Sequence, residues 1–321
     1  MQNNSRLTFA VVIPNYNHAA YLPEALESVV TQSHQPAITY VIDDASTDHS
    51  IEIIRDYVRR YSCVHFIRKE RNCGCNANLN EILPQIQATH VLFLAADDYL
   101  CPGYFARACA LLSKHPSAGV CLADLVNVWP DGTRRRFSYG LSAQPAYFPP
   151  AQVPAVARGL GLMGQCLILV EGLRQIGGFP EMLRWHSDHF VCWVLAARYG
   201  LCYVPQAGGA FRKLPTSYSE QGRSGSAHRL VLASFLDYLN RPEFADVKEA
   251  LRDGHVLEIF DRGLLSALWR DRENRYFLTP SFMARLVRRR MRGIFRHPVP
   301  RPVKRWFRRQ LRLERHQVLP P

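Results

Sequence analysis

The alternation of short apolar runs with segments of helical periodicity in the first 115 residues constrains the fold more than any other feature. Repeated strand–helix units are typical of a mostly parallel sheet with helices on both faces, so we expect an α/β fold. Strands are predicted over 7–14, 37–43, 63–69 and 89–96, and helices over 21–32, 51–61, within 76–87 and from 102 to about 114.

The alternation becomes irregular after Gly119, where the remaining elements are harder to assign. Two strands are predicted on either side of a turn at Pro130-Asp131-Gly132, and a proline-rich loop is predicted over 144–154. A strand at 166–170, a short helix to residue 177 and a helix over 188–199 follow, and the segment 219–226 has the composition of a flexible join. We therefore predict a domain over 1–225 and a helical C-terminal region over 226–321.

The net charge of +13 is concentrated at the C-terminal end of the chain. Residues 281–321 contain 13 Arg or Lys and one acid, Glu314, whereas the other 280 residues carry 27 basic and 26 acidic side chains. A neutral body and a cationic tail indicate two different functions.

Cysteine usage and hydropathy favour a cytoplasmic protein. The nine cysteines are odd in number and scattered, which fits a reducing compartment better than a disulfide framework. Cys73 and Cys75 are ordinary loop cysteines or, less plausibly, metal ligands, since no second pair follows. The N-terminal residues lack the pattern of a signal peptide, and the longest apolar stretch, 159–170, is too short to span a bilayer.

Polar clusters follow three of the predicted strands. They are PNYN at 14–17, DDASTD at 43–48, and the adjacent acids Asp97 and Asp98. Each cluster alone fits an exposed turn, but the carboxyl ends of parallel strands border the ligand crevice of an open sheet, so we expect one shared cleft. Neighbouring carboxylates repel unless a cation lies between them. Mg²⁺ or Mn²⁺, which often binds together with a diphosphate, is the cation that oxygen ligands favour.

Four stretches together closely resemble family-2 glycosyltransferases, which have the GT-A fold. The resemblance covers about residues 7–215. The stretches are VVIPNYNHAAYLPEALESVVTQSHQPAITYVIDDASTDHS, RNCGCNANLNEIL, LFLAADDYLCPGYF and LRQIGGFPEMLRWHSDHFVCWVLAARYG. The third contains the family's DxD-type region in the form AADD.

The resemblance implies an inverting transfer of one sugar from a nucleotide-diphosphate donor, in the synthesis of a cell-surface polysaccharide. Asp44 looks like the acid that binds the nucleotide base. Asp97 looks like the ribose or phosphate contact, and Asp98 like the ligand of Mn²⁺ or Mg²⁺. Pro14, Asn15 and Tyr16 would line the base and ribose pocket.

Asp188 resembles the catalytic base of the family, because it lies just before the helix that ends in a YG-type turn. An acceptor hydroxyl needs a positioned carboxylate to take its proton, although an acid here would also serve as a helix N-cap. His186 is a possible acceptor contact, and Arg212 a possible contact of the donor phosphates. Processive synthases carry a QxxRW motif after the base. None follows Asp188, so a non-processive enzyme is expected.

The tail over 281–321 interleaves arginines with large apolar residues at helical spacing, a pattern typical of helices that lie on anionic membranes. We expect a peripheral protein at the inner face of the membrane, close to a saccharide or polyprenyl-linked acceptor. Binding of nucleic acid through phosphates is an alternative, and packing on the body or in an oligomer is another. The alternative to an enzyme is a catalytically inactive nucleotide-binding module.

Overall fold

The computed structural model of the protein describes residues 7–222, 226–260, 264, 268–269, 271–280 and 282–284. Within these residues the strands are β1 Phe9–Asn15, β2 Ile38–Asp43, β3 Val64–Arg68, β4 His90–Phe93, β5 Tyr99–Leu100, β6 Val120–Val128, β7 Arg134–Phe137, β8 Ala146–Phe148, β9 Leu167–Leu169 and β10 Leu201–Arg212. They form one sheet in the order β3-β2-β1-β4-β9-β6-β10-β5, with β7 paired to β6 and β8 to β10.

The longest pairings of this sheet are parallel: β1 with β2 and β4, β2 with β3, and β6 with β10. The short strands β5, β7, β8 and β9 pair antiparallel at its edge and across its centre. The predicted α/β fold with a mostly parallel sheet is confirmed.

Helices cover both faces of the sheet, as the sequence predicts. In β1, Phe9, Val11 and Ile13 pack into the core on one face, and Ala10 and Val12 pack into the core on the other, as the two-residue period of a strand requires. The helices are α1 Leu22–Val30, α2 Ser50–Arg60, α3 Cys75–Ile82, α4 Tyr104–Leu112, α5 Val153–Val156, α6 Val170–Gln175, α7 Ser187–Tyr199, α8 Tyr218–Gly222, α9 Ser226–Asn240 and α10 Ala245–Asp253.

The structure corrects the sequence analysis in the second half of the chain. The stretch over 144–154 is not only a loop, because it contains β8 and α5, and prolines are compatible with the first turn of a helix. The 12-residue strand β10 is absent from the sequence prediction. Of the expected flexible join over 219–226, residues 219–222 belong to α8 and residue 226 begins α9, while 223–225 lie outside the described residues.

Helices α9 and α10 share the hydrophobic core of the sheet. The ring of Phe235 in α9 contacts Phe190 of α7 edge-on, with 5.5 Å between centroids. The Arg198 guanidinium at the end of α7 binds both carboxylate oxygens of Asp246 in α10 at 2.8 Å.

Most of the predicted cationic tail, 285–321 together with residue 281, lies outside the described residues. In the part of the chain that the structure describes, no helix combines the length and hydropathy needed to cross a bilayer.

Candidate active site

The ends of β1 and β2 are joined by a network of side-chain hydrogen bonds. Asn15 and Asp43 are register partners in the parallel pair, and the Asn15 Nδ2 donates to Asp43 Oδ2 at 2.8 Å. The other oxygen of Asp43 accepts the N–H of Ser46 at 2.9 Å. Asp43 therefore shapes the turn after β2, and it fixes Asn15 at the carboxyl end of β1.

Asp44 anchors the loop that precedes α3. Its Oδ1 accepts the N–H of Cys73 and its Oδ2 accepts the N–H of Gly74, both at 2.9 Å. Gly74 has a φ of +89°, a left-handed conformation that glycine adopts without steric cost. The side chain of Asp44 is thus held in one orientation, and each carboxylate oxygen retains a second lone pair for a ligand.

Pro14 and Tyr16 flank Asn15 at the end of β1. Pro14 is half-buried and is the register partner of Ile42. Tyr16 is one of the large side chains that stay exposed, so its ring is available to a ligand above the strand ends. The predicted base-pocket residues therefore lie beside Asp44.

Asp97 and Asp98 follow β4, the other neighbour of β1, and both are buried, with 8% and 3% of their surface exposed. Asp98 accepts hydrogen bonds from Gln165 Nε2 at 2.9 Å and from the Arg212 N–H at 2.8 Å. Burial, followed by the charge of Asp97, raises the pKa of the Asp98 carboxyl well above its ordinary value, while the Arg212 N–H opposes this shift. A cation bound beside Asp98 would oppose this shift, because a nearby opposite charge favours the ionised carboxylate.

The donor set at Asp98 fits a divalent cation only if a ligand supplies most of the coordination. Among the described residues no cluster of three or more His, Cys, Asp or Glu side chains is arranged to hold a metal ion. Magnesium-type sites commonly use one or two carboxylates together with substrate phosphates and water. The residues present therefore fit a cation that binds together with a diphosphate.

Gln165 is a positioning residue that the sequence analysis does not identify. It lies just before β9, donates to Asp98 and to the carbonyl oxygen of Ala210 at 3.2 Å, and is 2% exposed. A Cβ at Gly209 would lie 2.6 Å from Gln165 Oε1, so the glycine permits this close approach. The sequence signal that could have identified Gln165 is its position as a polar residue inside the otherwise apolar run 159–170.

Arg212, predicted as a possible phosphate contact, is engaged within the protein. Its guanidinium forms an ion pair with Glu24 of α1, donates to the carbonyl oxygen of Asp97 at 2.5 Å, and lies over the rings of Tyr21 and Tyr99 at 5.1 and 4.9 Å. These contacts tie α1 and β10 to the acidic pair. A phosphate contact by Arg212 stays a prediction.

Asp188 lies in the first turn of α7 and is half-buried. Its Oδ1 accepts the N–H of His189 at 2.7 Å. Cys75, the first residue of α3, is exposed to solvent, although protein groups partly desolvate its thiol. This desolvation, followed by the charges of Asp188 and Asp44, raises the pKa of the Cys75 thiol to about 12. The start of α3 is thus hydrogen-bonded to Asp44 through the Gly74 N–H and to the segment before α7 through Asn76, whose Nδ2 donates to the Arg184 carbonyl oxygen.

His186, the predicted acceptor contact, is packed among aromatic side chains. It is 4% exposed, and its ring contacts Phe260 edge-on with 4.6 Å between centroids. The ring of His228 in α9 lies 5.5 Å away. His186 therefore links the segment before α7 to the C-terminal helices.

Comparison with known proteins relates the segment that contains the strand-end acids to a family. Residues 10–148 match the sequence model of the family described as Glycosyl transferase family 2. The matched segment, residues 10–148, therefore carries a glycosyl transferase family 2 sequence. It contains Asp44, Asp97 and Asp98, whereas Asp188 lies beyond the matched segment.

The curated relatives align with the same part of the chain. The uncharacterized protein Rv1520 of Mycobacterium tuberculosis is 29% identical over 128 residues, which are 39% of this chain and 37% of that protein. TarS of Staphylococcus aureus, a poly(ribitol-phosphate) beta-N-acetylglucosaminyltransferase, is 29% identical over 114 residues, 35% of this chain and 20% of that protein. The alignments thus span little more than a third of these relatives at most.

Solved structures show the shared fold over a longer part of the chain. Residues 1–349 of S. aureus TarS, solved with UDP-GlcNAc, align with a TM-score of 0.63 at 19% identity and cover 82% of this chain and 80% of that one. The mannosyltransferase PcManGT of Pyrobaculum calidifontis, solved with GDP-Man and Mn²⁺, aligns with a TM-score of 0.53 at 17% identity and covers 94% and 84%. The GT-A fold that the resemblance implied is confirmed.

Proposed function

We propose that the protein transfers one sugar from a nucleotide-diphosphate sugar to a hydroxyl of a saccharide or lipid-linked saccharide acceptor, in the synthesis of a cell-surface polysaccharide. The observation that carries the proposal is the arrangement of Asp44, Asp97 and Asp98 after neighbouring parallel strands, together with the hydrogen bonds that join the start of α3 to Asp44 and to the segment leading into Asp188. The family of the domain and the activity named for TarS support it.

On the donor side, Asp44 accepts a hydrogen bond from the nucleotide base, with Pro14, Asn15 and Tyr16 lining the base and ribose. Asp97 contacts the ribose or a phosphate. The hydrogen bonds from Cys73 and Gly74 to Asp44 hold the carboxylate before the ligand arrives, which lowers the entropic cost of binding. TarS bound to UDP-GlcNAc supports a nucleotide-sugar donor.

Asp98 would hold a divalent cation, Mn²⁺ or Mg²⁺, together with the donor diphosphate. The raised pKa of its carboxyl and the Mn²⁺ in PcManGT support this assignment. When bound, the cation neutralises charge that develops on the leaving diphosphate. Gln165 and the Arg212 backbone orient the Asp98 carboxylate for this role.

On the acceptor side, Asp188 takes the proton of the acceptor hydroxyl as its oxygen bonds to the anomeric carbon of the donor sugar. The bond from that carbon to the diphosphate breaks, and attack from the opposite face inverts the anomeric configuration. A positioned carboxylate contributes about 10²–10⁴-fold to such a step. Holding both substrates in one cleft makes the reaction effectively unimolecular.

A thermal-shift panel of nucleotide diphosphates with Mn²⁺, followed by turnover of the matching nucleotide sugars, tests the proposed function. A ligand that binds the native state raises Tm by linkage, and we expect one nucleotide to do so only when the cation is present. Turnover should then release that nucleotide and yield an inverted glycoside detectable by NMR. A protein that binds a nucleotide but turns over no donor with any acceptor is the inactive binding module instead.

We further propose that the basic tail over 281–321 docks the enzyme on anionic lipid at the inner face of the membrane. The 13 basic residues of this segment support the proposal. Flotation of the full chain and of a chain ending at residue 280 with anionic liposomes tests it. Equal binding by the two chains contradicts the proposal and favours packing of the tail on the body.

A further inference from the structure

The segment that leads into α7 contains a residue in a conformation that glycine would adopt more easily. Arg184 has φ 45° and ψ −118°, outside the regions that ordinary residues favour. Its carbonyl oxygen accepts a hydrogen bond from Asn76 Nδ2 of α3 at 3.0 Å, which holds the backbone in place. Strained backbone that the surrounding structure maintains is concentrated at functional sites.

The residue with this strained backbone, Arg184, shortly precedes Asp188 in the chain. Arg184 is exposed, and it forms no ion pair with another residue that the structure describes. Arg174, nearby in sequence, differs because its guanidinium donates to backbone carbonyl oxygens, at 2.7 Å to that of Ile86. Among the residues that the structure describes, Arg184 has no comparable side-chain hydrogen bond.

Two aromatic side chains, Trp185 and Tyr218, pack together next to Arg184 in the structure. The ring of Tyr218 in α8 packs edge-on against Trp185, with 5.7 Å between centroids, and Tyr218 is 57% exposed. Tyr218 therefore packs on the residue that follows Arg184. Desolvation raises the pKa of the Tyr218 hydroxyl, and the charge of Arg184 opposes this rise. The charge of Asp188 is one of the causes that raise the pKa of the Cys75 thiol, after desolvation.

We propose that Arg184 and Tyr218 form a subsite for an acceptor saccharide that carries an anionic group. A guanidinium offers a planar fork that matches the two oxygens of a phosphate or a carboxylate, and a tyrosine ring packs against the apolar face of a sugar. The inference deepens the proposed function, on which it rests, by naming the acceptor class. Arg184 selects anionic acceptors and orients their hydroxyl toward Asp188.

Ligand-observed NMR titration with three related sugars tests the subsite. The probes are methyl glucoside, glucose 6-phosphate and glucuronate, each added to protein whose donor site is saturated with Mg²⁺ and the nucleotide diphosphate that binds it. We expect one of the two anionic probes to bind at least about 10-fold more tightly than the neutral one, since a hydrogen bond to a charged group contributes enough for such a ratio. The preferred probe distinguishes phosphate from carboxylate.

Arg184→Gln should reduce this preference to less than about 2-fold, while Arg55→Gln, which removes the same charge from the exposed face of α2, should leave it unchanged. Arg184→Gly relieves the strained backbone, so we expect its Tm to equal or exceed that of the wild type while the preference is lost. A fall in Tm with the preference retained would assign Arg184 a structural role and overturn the proposal.

Nucleotide affinity of the same variants separates this inference from the proposed function. Arg184→Gln should bind the nucleotide diphosphate as tightly as the wild type. Weaker nucleotide binding with an unchanged sugar preference would place Arg184 on the donor phosphates and contradict the acceptor assignment. Absence of nucleotide binding by the wild type would contradict the proposed function, and the sugar titration without nucleotide would still measure the preference.

Discussion

The side of the proposed cleft that we assign to the nucleotide, here called the nucleotide side, and the α7 side are built in different ways. On the nucleotide side, Asp44, Asp97 and Asp98 follow directly after strands, and backbone N–H groups hold Asp44 and Asp98 in place. On the α7 side, Asp188 follows a 3₁₀ segment with the strained residue Arg184. The three acids on the nucleotide side are positioned by the strands that directly precede them in sequence. Asp188 is positioned by packing between segments that are distant in sequence.

This difference predicts a division of labour. Changes on the nucleotide side should alter donor affinity or the electrostatics of the leaving group, and changes on the α7 side should alter the transfer step or acceptor choice. Four substitutions, in order of decreasing expected effect on turnover, sharpen or break this comparison.

Asp188→Asn should have the largest effect on turnover. The amide keeps the size of the side chain and can still accept the N–H of His189, but it cannot take a proton. We expect kcat to fall by about 10²–10⁴-fold, with donor affinity within about 2-fold of the wild type, measured by nucleotide release and by calorimetric titration. Asp246→Asn is the control. It removes the α10 carboxylate that pairs with Arg198 at the far end of α7, and the variant should keep full activity.

Asp98→Asn should lower cation-dependent turnover by about 10²–10³-fold, because it removes charge stabilisation in the transition state. The folded state raises the pKa of this carboxyl, so the native protein binds its proton more tightly than the unfolded chain does. Stability present below the unfolded pKa is then lost as pH rises through the folded pKa. The variant should consequently unfold at a higher urea concentration than the wild type at pH 7.5, with a smaller difference at pH 5. A less stable variant at pH 7.5 would contradict this account of Asp98.

Asp44→Asn should weaken nucleotide binding by about 10-fold or more, since hydrogen bonds to charged groups contribute about 1.5–3 kcal/mol. Turnover at saturating donor should change much less, because the substitution leaves the reacting groups in place. Initial rates over a range of donor concentrations separate the two parameters. A fall confined to kcat would mean that Asp44 does not bind the nucleotide base.

Gln165→Met should have the smallest effect. Methionine has a similar volume but cannot donate to Asp98 or to the Ala210 carbonyl oxygen. We expect a loss of about 1–3 kcal/mol in the free energy of unfolding and a several-fold rise in the donor concentration needed for half-maximal rate. Retention of both properties would show that the Arg212 N–H alone orients Asp98.

The same contrast explains how much the sequence could predict. Strands β1 to β4 and helices α1 to α4 have regular apolar periodicity, and the acids that follow β2 and β4 could be predicted to lie at one edge of the sheet because these strands run parallel to β1. Their roles in binding and catalysis stay predictions.

Strand β10 could not be predicted in the same way. Pro205, Gly208 and Gly209 interrupt its apolar pattern, and its register with β6 shifts twice in this region. A Cβ at Gly208 would lie 2.7 Å from the Cβ of Ala123, so the glycines are required by close packing rather than by a turn. Gln165 was missed for a related reason, because its partners Asp98 and Ala210 are distant in sequence.

A crystal structure with Mn²⁺ and the tightest-binding nucleotide diphosphate, with data collected at the manganese absorption edge, tests the single-cleft account most directly. The account predicts an anomalous peak within coordination distance of Asp98, a nucleobase hydrogen-bonded to Asp44, and the diphosphate directed toward Asp188. A peak or a nucleobase bound away from these acids, or an Asp188 carboxylate that opens onto a different surface from the diphosphate, would contradict it.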